Sequence, residues 1–178
     1  MQMKKDSYQP DKKIVAVCGL FCPACIIFIA QRESPEKRKK IAENLHLSVE
    51  ALKCDGCRAE NRFTYCETCK LEPCAAEKGL DFCGECEEYP CEMLKEFQAA
   101  MPHRIELWQA QARIKEVGYE KWFEEMLEHY SCPQCNTINS AYHIACRECG
   151  ATPSCSYVDL HNVEIKSHLS NSQRESSE

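Results

Sequence analysis

Eight cysteines within the 38 residues from Cys54 to Cys91 constrain this chain more than any other feature. Six of them form three Cys-x2-Cys pairs, and this density of thiols exceeds what packing requires. Two cysteines separated by two residues can point into one site, while the backbone between them donates N–H groups to the sulfurs. We therefore predict that this segment binds metal. Its cysteines are Cys54, Cys57, Cys66, Cys69, Cys74, Cys83, Cys86 and Cys91.

The whole chain carries 16 cysteines in 178 residues, so the redox compartment matters. Closely spaced pairs are poor disulfide frameworks and are typical of metal knuckles in a reduced compartment. The apolar run at 14–30 follows lysines, as in a secretory signal, but three cysteines and Pro23 interrupt it. Its 17 residues are also short for a membrane-spanning helix. We therefore expect a cytoplasmic protein with no membrane association.

The formal net charge of −6 is unevenly distributed along the chain. Residues 51–131 carry 17 acidic and 10 basic groups. A protein that binds nucleic acid through the phosphate backbone needs a positive face, which this acidic excess does not supply. The basic run at 37–40 is typical of the solvated face of a helix.

Cys18, Cys22 and Cys25 lie at a predicted turn between a strand at 14–17 and a helix that starts near Pro23. Three interpretations are open: a further set of metal ligands, a thioredoxin-like redox pair, or the three-cysteine spacing by which radical S-adenosylmethionine enzymes hold an iron–sulfur cluster. No βαβ pattern follows, and the chain is too short for a partial barrel. The pattern favours metal ligands, with an iron–sulfur cluster at these three cysteines as the alternative cofactor.

Eleven cysteines precede residue 100. They suffice for two four-cysteine sites with three left over, or for three sites if a histidine, an aspartate or water completes the last. The grouping stays open, because sequential pairing of the first two Cys-x2-Cys pairs and a crossed arrangement with Cys83 and Cys86 are equally allowed by spacing. Cys74 and Cys91 have a further interpretation as small buried apolar side chains.

The most specific motif is Cys132-Pro-Gln-Cys135, followed after ten residues by Cys146-Arg-Glu-Cys149. Two such pairs are typical of a zinc ribbon, in which two knuckles face each other across one metal between short strands. We predict these strands in the sequences TIN, AYHIA and SYVDL. Cys155 and His143 are not expected to be ligands.

Apolar residues at helical spacing predict three helices between residues 92 and 130, and Ser34-Pro35 predicts the start of another. The predicted fold class is a small metal-stabilised α+β protein, with helices packed on zinc-knuckle loops and a C-terminal β zinc ribbon. The predicted regions are a mobile lead-in (1–13), a cysteine-rich metal-binding domain (14–101), a helical connector (102–130), the zinc ribbon (131–160) and a disordered tail (161–178).

Several ordered motifs at 14–95 resemble those of one family: CGLFCPAC, CDGC, CETC, CAAEKG, FCGEC and YPCEML. They are similar to the small cysteine-rich proteins of bacteria and archaea that are grouped as domain of unknown function 3795. Some members look similar further on, in IKEVGYEKWFEE and CPQCNTINSAYHIACRECG. The resemblance implies a zinc-binding prokaryotic protein. It brings no assigned activity, so it implies no catalytic residue.

Together these observations predict a zinc-binding protein with three ions, a structural or protein-interaction role and no catalysis of its own. One alternative is an iron–sulfur or thiol redox enzyme centred on Cys18, Cys22 and Cys25. A second is a nucleic-acid-binding module that uses the zinc ribbon, for which Arg147 is the single supporting residue. We expect an unidentified protein partner, and nucleic acid is not favoured.

Overall fold

The computed structural model describes residues 3–98 and 101–175, with side chains up to residue 170, and its architecture is helical. The α-helices in this part of the chain are α1 (Ile26–Gln31), α2 (Pro35–Asn44), α3 (Thr64–Glu67), α4 (Leu71–Glu77), α5 (Glu92–Gln98), α6 (Leu107–Val117), α7 (Tyr119–His129), α8 (Ser156–Leu160) and α9 (Asn162–Glu175). Short 3-10 helices span Lys5–Ser7, Lys12–Ile14, Cys22–Ala24, Val49–Ala51, Cys83–Glu85 and Pro102–Arg104.

The predicted α+β class and the C-terminal β zinc ribbon are wrong. Over the described residues, β structure is limited to isolated bridges that join Lys4 to Thr137, Val15 to Phe21 and Ser131 to Ile138. The predicted strand at 14–17 is thus reduced to one bridge, and the other two bridges contact the C-terminal cysteine region without forming a sheet.

The segment SYVDL, predicted as a strand, is helix α8. Tyr157 and Val158 are both 0% exposed, and the Tyr157 ring stacks on Tyr130 with centroids 4.8 Å apart. β-propensity reflects how well a side chain packs in its surroundings, so tertiary contacts override it readily. Here the contact with the core selects the helix.

The helix boundaries agree with the sequence signals better than the predicted strands do. Ser34 caps α2 by accepting a hydrogen bond from the backbone N–H of Lys37, and Pro35 occupies the first helical position. Gly118, with φ of 83°, ends α6 and separates it from α7, because glycine adopts a positive φ at little cost. The three helices predicted between residues 92 and 130 are confirmed as α5, α6 and α7.

The main hydrophobic core surrounds α6 and α7 and takes residues from Val15 to Ile165. Its centre is aromatic: the Phe21 ring lies 5.9 Å from Trp122, 5.1 Å from Phe123 and 5.8 Å from Tyr130, between centroids. These contacts cross the predicted boundary at 101, and the same core takes Ile138 and Tyr157 from beyond the boundary at 130. The segment predicted as a connector therefore forms the support on which both cysteine regions pack.

One buried carboxylate joins the start of α6 to two histidines near the ends of other helices. Glu106 Oε2 lies 2.9 Å from Nε2 of His129 at the end of α7, and Oε1 lies 2.7 Å from Nε2 of His161, between α8 and α9. The side chains of all three are at most 22% exposed. These side-chain contacts connect the C-terminal helices to the core and need no metal ion.

Buried side chains occur near both ends of the described chain, Met3 in a small cluster with Phe28 and Ile29 and Ile165 in the main core. Met3 is 3% exposed, and Ile165 of α9 is 0% exposed. The sequence predicts a mobile lead-in and a disordered tail in these regions, of which residues 1–2 and 176–178 lie outside the described residues. No helix among those described is both long enough and apolar enough to cross a bilayer.

Candidate metal centre

The C-terminal site consists of Cys132, Cys135, Cys146 and Cys149, whose Sγ atoms all lie within 4.8 Å of one another. Cys132 Sγ is 3.6 Å from Cys149 Sγ, and Cys135 Sγ is 3.6 Å from Cys146 Sγ. Zinc–sulfur bonds of about 2.3 Å in a tetrahedron separate the sulfurs by about 3.8 Å. The group could therefore hold a metal ion. It is the one set of three or more potential ligand side chains that comes this close together in the described parts of the chain.

Each of the two knuckles of the C-terminal site contains a backbone turn of the same kind. The N–H of Asn136 donates to the carbonyl of Cys132 at 2.9 Å, and the N–H of Gly150 donates to that of Cys146 at 2.9 Å. Asn136 and Gly150 have φ of 58° and 76°, a region that asparagine and glycine enter more easily than other residues. Each Cys-x2-Cys pair is thus followed by the residue type that its turn requires.

Two further polar side chains support the sulfurs. Asn139, which is 0% exposed, places Nδ2 3.6 Å from Cys146 Sγ and accepts a hydrogen bond from the N–H of Arg147 at 3.1 Å. Thr137 Oγ1 lies 3.3 Å from Cys135 Sγ. Burial acts to raise the pKa of the Cys135 thiol, but hydrogen bonds with Thr137 and with the thiols of Cys149 and Cys146 outweigh it and lower the pKa to about 6. The same sulfur–sulfur contacts raise the pKa of Cys149 to about 12. A readily ionised thiol suits a metal ligand, because metals bind the thiolate.

The N-terminal segment at 3–5 runs beside the first knuckle. The carbonyl of Met3 accepts from the N–H of Ile138 at 2.9 Å, and Lys4 Nζ donates to the carbonyl of Cys135 at 2.6 Å. Sequence reasoning missed this contact, as it missed Thr137 and Asn139, because cysteine spacing does not reveal which distant residues cover a knuckle.

Seven of the eleven cysteines before residue 100 pack on two smaller hydrophobic clusters of the N-terminal half: Cys18, Cys22, Cys57, Cys69, Cys83 and Cys91 on one, and Cys54 on the other. Burial raises the pKa of Cys18 well above its usual value, and the nearby thiols of Cys57, Cys83 and Cys69 add to the effect. Burial also raises the pKa of Cys22, with Cys57, Cys25 and Cys54 as its thiol neighbours. Cys57 thus has the largest thiol effect on both Cys18 and Cys22, and their other thiol neighbours differ.

The other thiols interact across the Cys-x2-Cys pairs. Burial raises the pKa of Cys66 to about 12, and the thiols of Cys25, Cys54, Cys57 and Cys69 add to the effect. Burial likewise raises the pKa of Cys83 to about 12, with contributions from Cys91, Cys74, Cys57 and Cys69. The thiols of this region thus interact with cysteines of several Cys-x2-Cys pairs, and Cys57 affects all four of these groups.

Gln111 of α6 links two of the cysteine turns to the helical core. It is 1% exposed, and its Oε1 accepts the N–H of Gly84 at 2.6 Å while its Nε2 donates to the carbonyl of Val17 at 3.0 Å. A Cβ at Gly84 would lie 2.7 Å from Gln111 Oε1, and one at Gly19 would lie 2.9 Å from Nε2. The turns that carry Cys18 and Cys83 therefore pack against the same side chain, that of Gln111.

A cavity of about 190 Å³ lies between α4 and α5, and four cysteines line it: Cys74, Cys83, Cys86 and Cys91. The other walls are mainly apolar, including Leu71, Leu94, Leu80 and Met93. Lys78 Nζ lies 3.5 Å from Cys86 Sγ and 3.1 Å from a carboxylate oxygen of Glu88.

The structure brings together the four cysteines that the sequence grouped at the C-terminal site. Metal binding by the eleven N-terminal cysteines stays a prediction. Residues 14–96 match the model of a family described as "Protein of unknown function (DUF3795)", which confirms the resemblance over that segment. The C-terminal site lies outside the matched residues. No curated protein and no solved structure matches the chain.

Proposed function

We propose that this chain is a cytoplasmic zinc protein of prokaryotes, in which thiolate-bound zinc maintains a surface for a protein partner and no catalysis takes place. The C-terminal site carries the proposal. Its sulfur spacing suits a tetrahedral ion, and its four cysteines complete the shell. Zinc has closed four-ligand shells in structural sites, whereas catalytic zinc keeps one position for water or substrate. The closed shell supports a structural role.

The neighbours of the N-terminal thiols favour zinc over a local iron–sulfur cluster. A cluster at Cys18, Cys22 and Cys25 requires these three sulfurs to face one volume. The thiols that affect the pKa of Cys18 are Cys57, Cys83 and Cys69, and Cys57 also has the largest thiol effect on Cys22. Metal sites that combine distant parts of the sequence fit this arrangement better than a cluster bound by one short motif.

The acidic middle of the chain supports a protein partner with a basic surface. Residues 51–131 carry 17 acidic and 10 basic groups, an excess of seven acidic groups. Such a surface repels the phosphate backbone of nucleic acids and attracts basic protein surfaces. Because the C-terminal site is closed, it offers no position to a substrate.

Metal analysis of protein purified anaerobically without thiol additives tests the proposal. We expect zinc as the principal metal, with one zinc per chain lost in Cys149→Ala and retained in Cys149→His, since imidazole is also a zinc ligand. Cys149 is exposed, so these changes leave the packing intact. The control is Cys155→Ala, outside the site, which keeps every ion. Iron as the principal metal, or an unchanged zinc count in Cys149→Ala, would contradict the proposal.

A further inference from the structure

The four cysteines of the C-terminal site differ in their access to solvent. Cys132 is 0% exposed, Cys146 is 4% exposed and Cys135 is half-buried, whereas Cys149 is exposed. Metals bind cysteine as the thiolate, and oxidants attack the thiolates that solvent reaches. In the metal-loaded site, an oxidant such as a peroxide therefore meets the sulfur of Cys149 before it meets the buried ones.

A second sulfur lies close enough to complete an oxidation of Cys149. Cys132 Sγ, in the other knuckle, is 3.6 Å from Cys149 Sγ. In the first step the Cys149 thiolate attacks one peroxide oxygen, the O–O bond breaks, hydroxide leaves and a sulfenic acid remains. In the second step the Cys132 thiolate attacks that sulfur, the S–O bond breaks, a second hydroxide leaves and a disulfide forms. The two thiolates have then given two electrons to one peroxide molecule.

The second knuckle contacts the start of α2 through charged side chains. Arg147 pairs with Glu33, and Lys37 Nζ lies 3.2 Å from a carboxylate oxygen of Glu148. A mainly polar cavity of about 190 Å³ lies beside these pairs. Polar contacts weaken steeply when their atoms move apart, so these depend on the position of the knuckle. Loss of the metal-bound shape of the second knuckle therefore affects the start of α2.

The first knuckle provides backbone partners for the N-terminal segment at 3–5. The N–H of Lys5 donates to the carbonyl of Asn136 at 3.0 Å, and the carbonyl of Met3 accepts from the N–H of Ile138 at 2.9 Å. The Met3 side chain packs on α1. This segment therefore connects the C-terminal site to the first helix of the region that matches the family model.

We propose that the C-terminal site is a peroxide-sensitive switch, in which a Cys132–Cys149 disulfide releases zinc and detaches the segment at 3–5 and the start of α2. The proposal rests on the proposed function, since it takes zinc as the metal of this site. Cys135 and Cys146 alone do not complete a four-ligand shell. The disulfide joins the two knuckles directly, so both change shape and their contacts with the N-terminal half are lost together.

Hydrogen peroxide tests the switch when one equivalent is added to the zinc-loaded full chain and the reaction is stopped with catalase. A colorimetric chelator measures released zinc, and mass spectrometry after alkylation maps the disulfides. We expect one zinc released for each Cys132–Cys149 disulfide, and several-fold faster hydrogen exchange at 3–8 and 33–38. A reductant added with zinc should restore slow exchange, because both reactions are reversible.

Two variants test the role of Cys149. Cys149→His keeps a zinc ligand but removes the thiolate that peroxide attacks. It should retain its zinc, and slow exchange at 3–8, over the time in which the unmodified chain loses both. Cys155→Ala removes a buried thiol outside the site and should respond as the unmodified chain does.

Failure of the switch and failure of the proposed function give different results. An unchanged zinc count in Cys149→Ala before oxidation would contradict the proposed function and the switch with it. In zinc-loaded protein, three results would overturn the switch alone: a first disulfide among the cysteines before residue 100, zinc release from Cys149→His at the unmodified rate, or unchanged exchange at 3–8 after zinc release.

Discussion

The two cysteine regions show when spacing identifies a metal site and when it does not. At the C-terminal site, two Cys-x2-Cys pairs lie close in sequence, and their four sulfurs come together as spacing predicts. In the N-terminal region eleven cysteines allow many groupings, and no comparable set of ligand side chains comes together there among the described residues. Spacing determines which cysteines can share an ion only where few alternatives are present.

The two regions also differ in how much ordinary packing supports them. Ile138 and Ala141, between the C-terminal knuckles, and Tyr157, after the second knuckle, belong to the main core around α6 and α7. The stretch from Cys54 to Cys91 contributes one buried residue, Phe82, to that core, and Leu71 and Ala75 to a smaller cluster. The N-terminal region should therefore depend more on metal for its stability.

Metal removal should produce the largest difference between the regions. After treatment with a strong chelator under reducing conditions, we expect residues 54–91 to lose their protection from hydrogen exchange while α6 and α7 retain theirs. A structural zinc contributes on the order of 10 kcal/mol to small domains that fold around it, far more than the few buried side chains of this stretch. Exchange measured by mass spectrometry on apo and zinc-loaded protein compares the segments. Protection of 54–91 that persists in the apo protein would show that packing, not metal, maintains this region.

Gln111→Ala should destabilise the N-terminal region by about 2–4 kcal/mol, because it leaves the buried N–H of Gly84 and carbonyl of Val17 without partners. Thermal unfolding of the zinc-loaded protein measures this loss. Gln109→Ala, at an exposed position of the same helix, is the matched control and should change stability by less than about 0.5 kcal/mol. Equal effects of the two substitutions would mean that Gln111 does not support the cysteine turns.

Glu106→Gln should destabilise the C-terminal region by about 1–3 kcal/mol, because the charge-assisted contacts with His129 and His161 are lost. Exchange should increase in α8 and stay unchanged at 54–91. Glu125→Gln, which breaks a more exposed ion pair with Arg113, should cost about 0–1 kcal/mol. Faster exchange at 54–91 in Glu106→Gln would contradict the assignment of the Glu106 contacts to the C-terminal region.

The same carboxylate predicts a dependence on pH. Burial opposes its ionisation, but the hydrogen bonds with His129 and His161 prevail and lower the pKa of Glu106 below its usual value. Its charge therefore stabilises the fold above the usual pKa of glutamate, and this contribution disappears as the pH falls through the lowered pKa. Glu106→Gln should lack this part of the acid dependence.

The sequence predicted helices better than strands. It identified the four cysteines that come together at the C-terminal site but left the grouping of the N-terminal cysteines open. Local signals such as the Ser34 cap and Gly118 act within one helix and are visible in the sequence. The helical state of SYVDL depends on the burial of Tyr157 against Tyr130, a contact between distant residues. Gln111 gave no signal either, because its role arises from turns more than 20 residues away in the chain.

X-ray absorption at the zinc edge of the full chain, purified anaerobically, tests most directly whether closed thiolate sites maintain this fold. We predict a first shell dominated by sulfur at about 2.3 Å, with close to four sulfurs per zinc. Substantial loading with iron, or a zinc shell in which nitrogen and oxygen ligands at about 2.0–2.2 Å equal or outnumber sulfur, would contradict it.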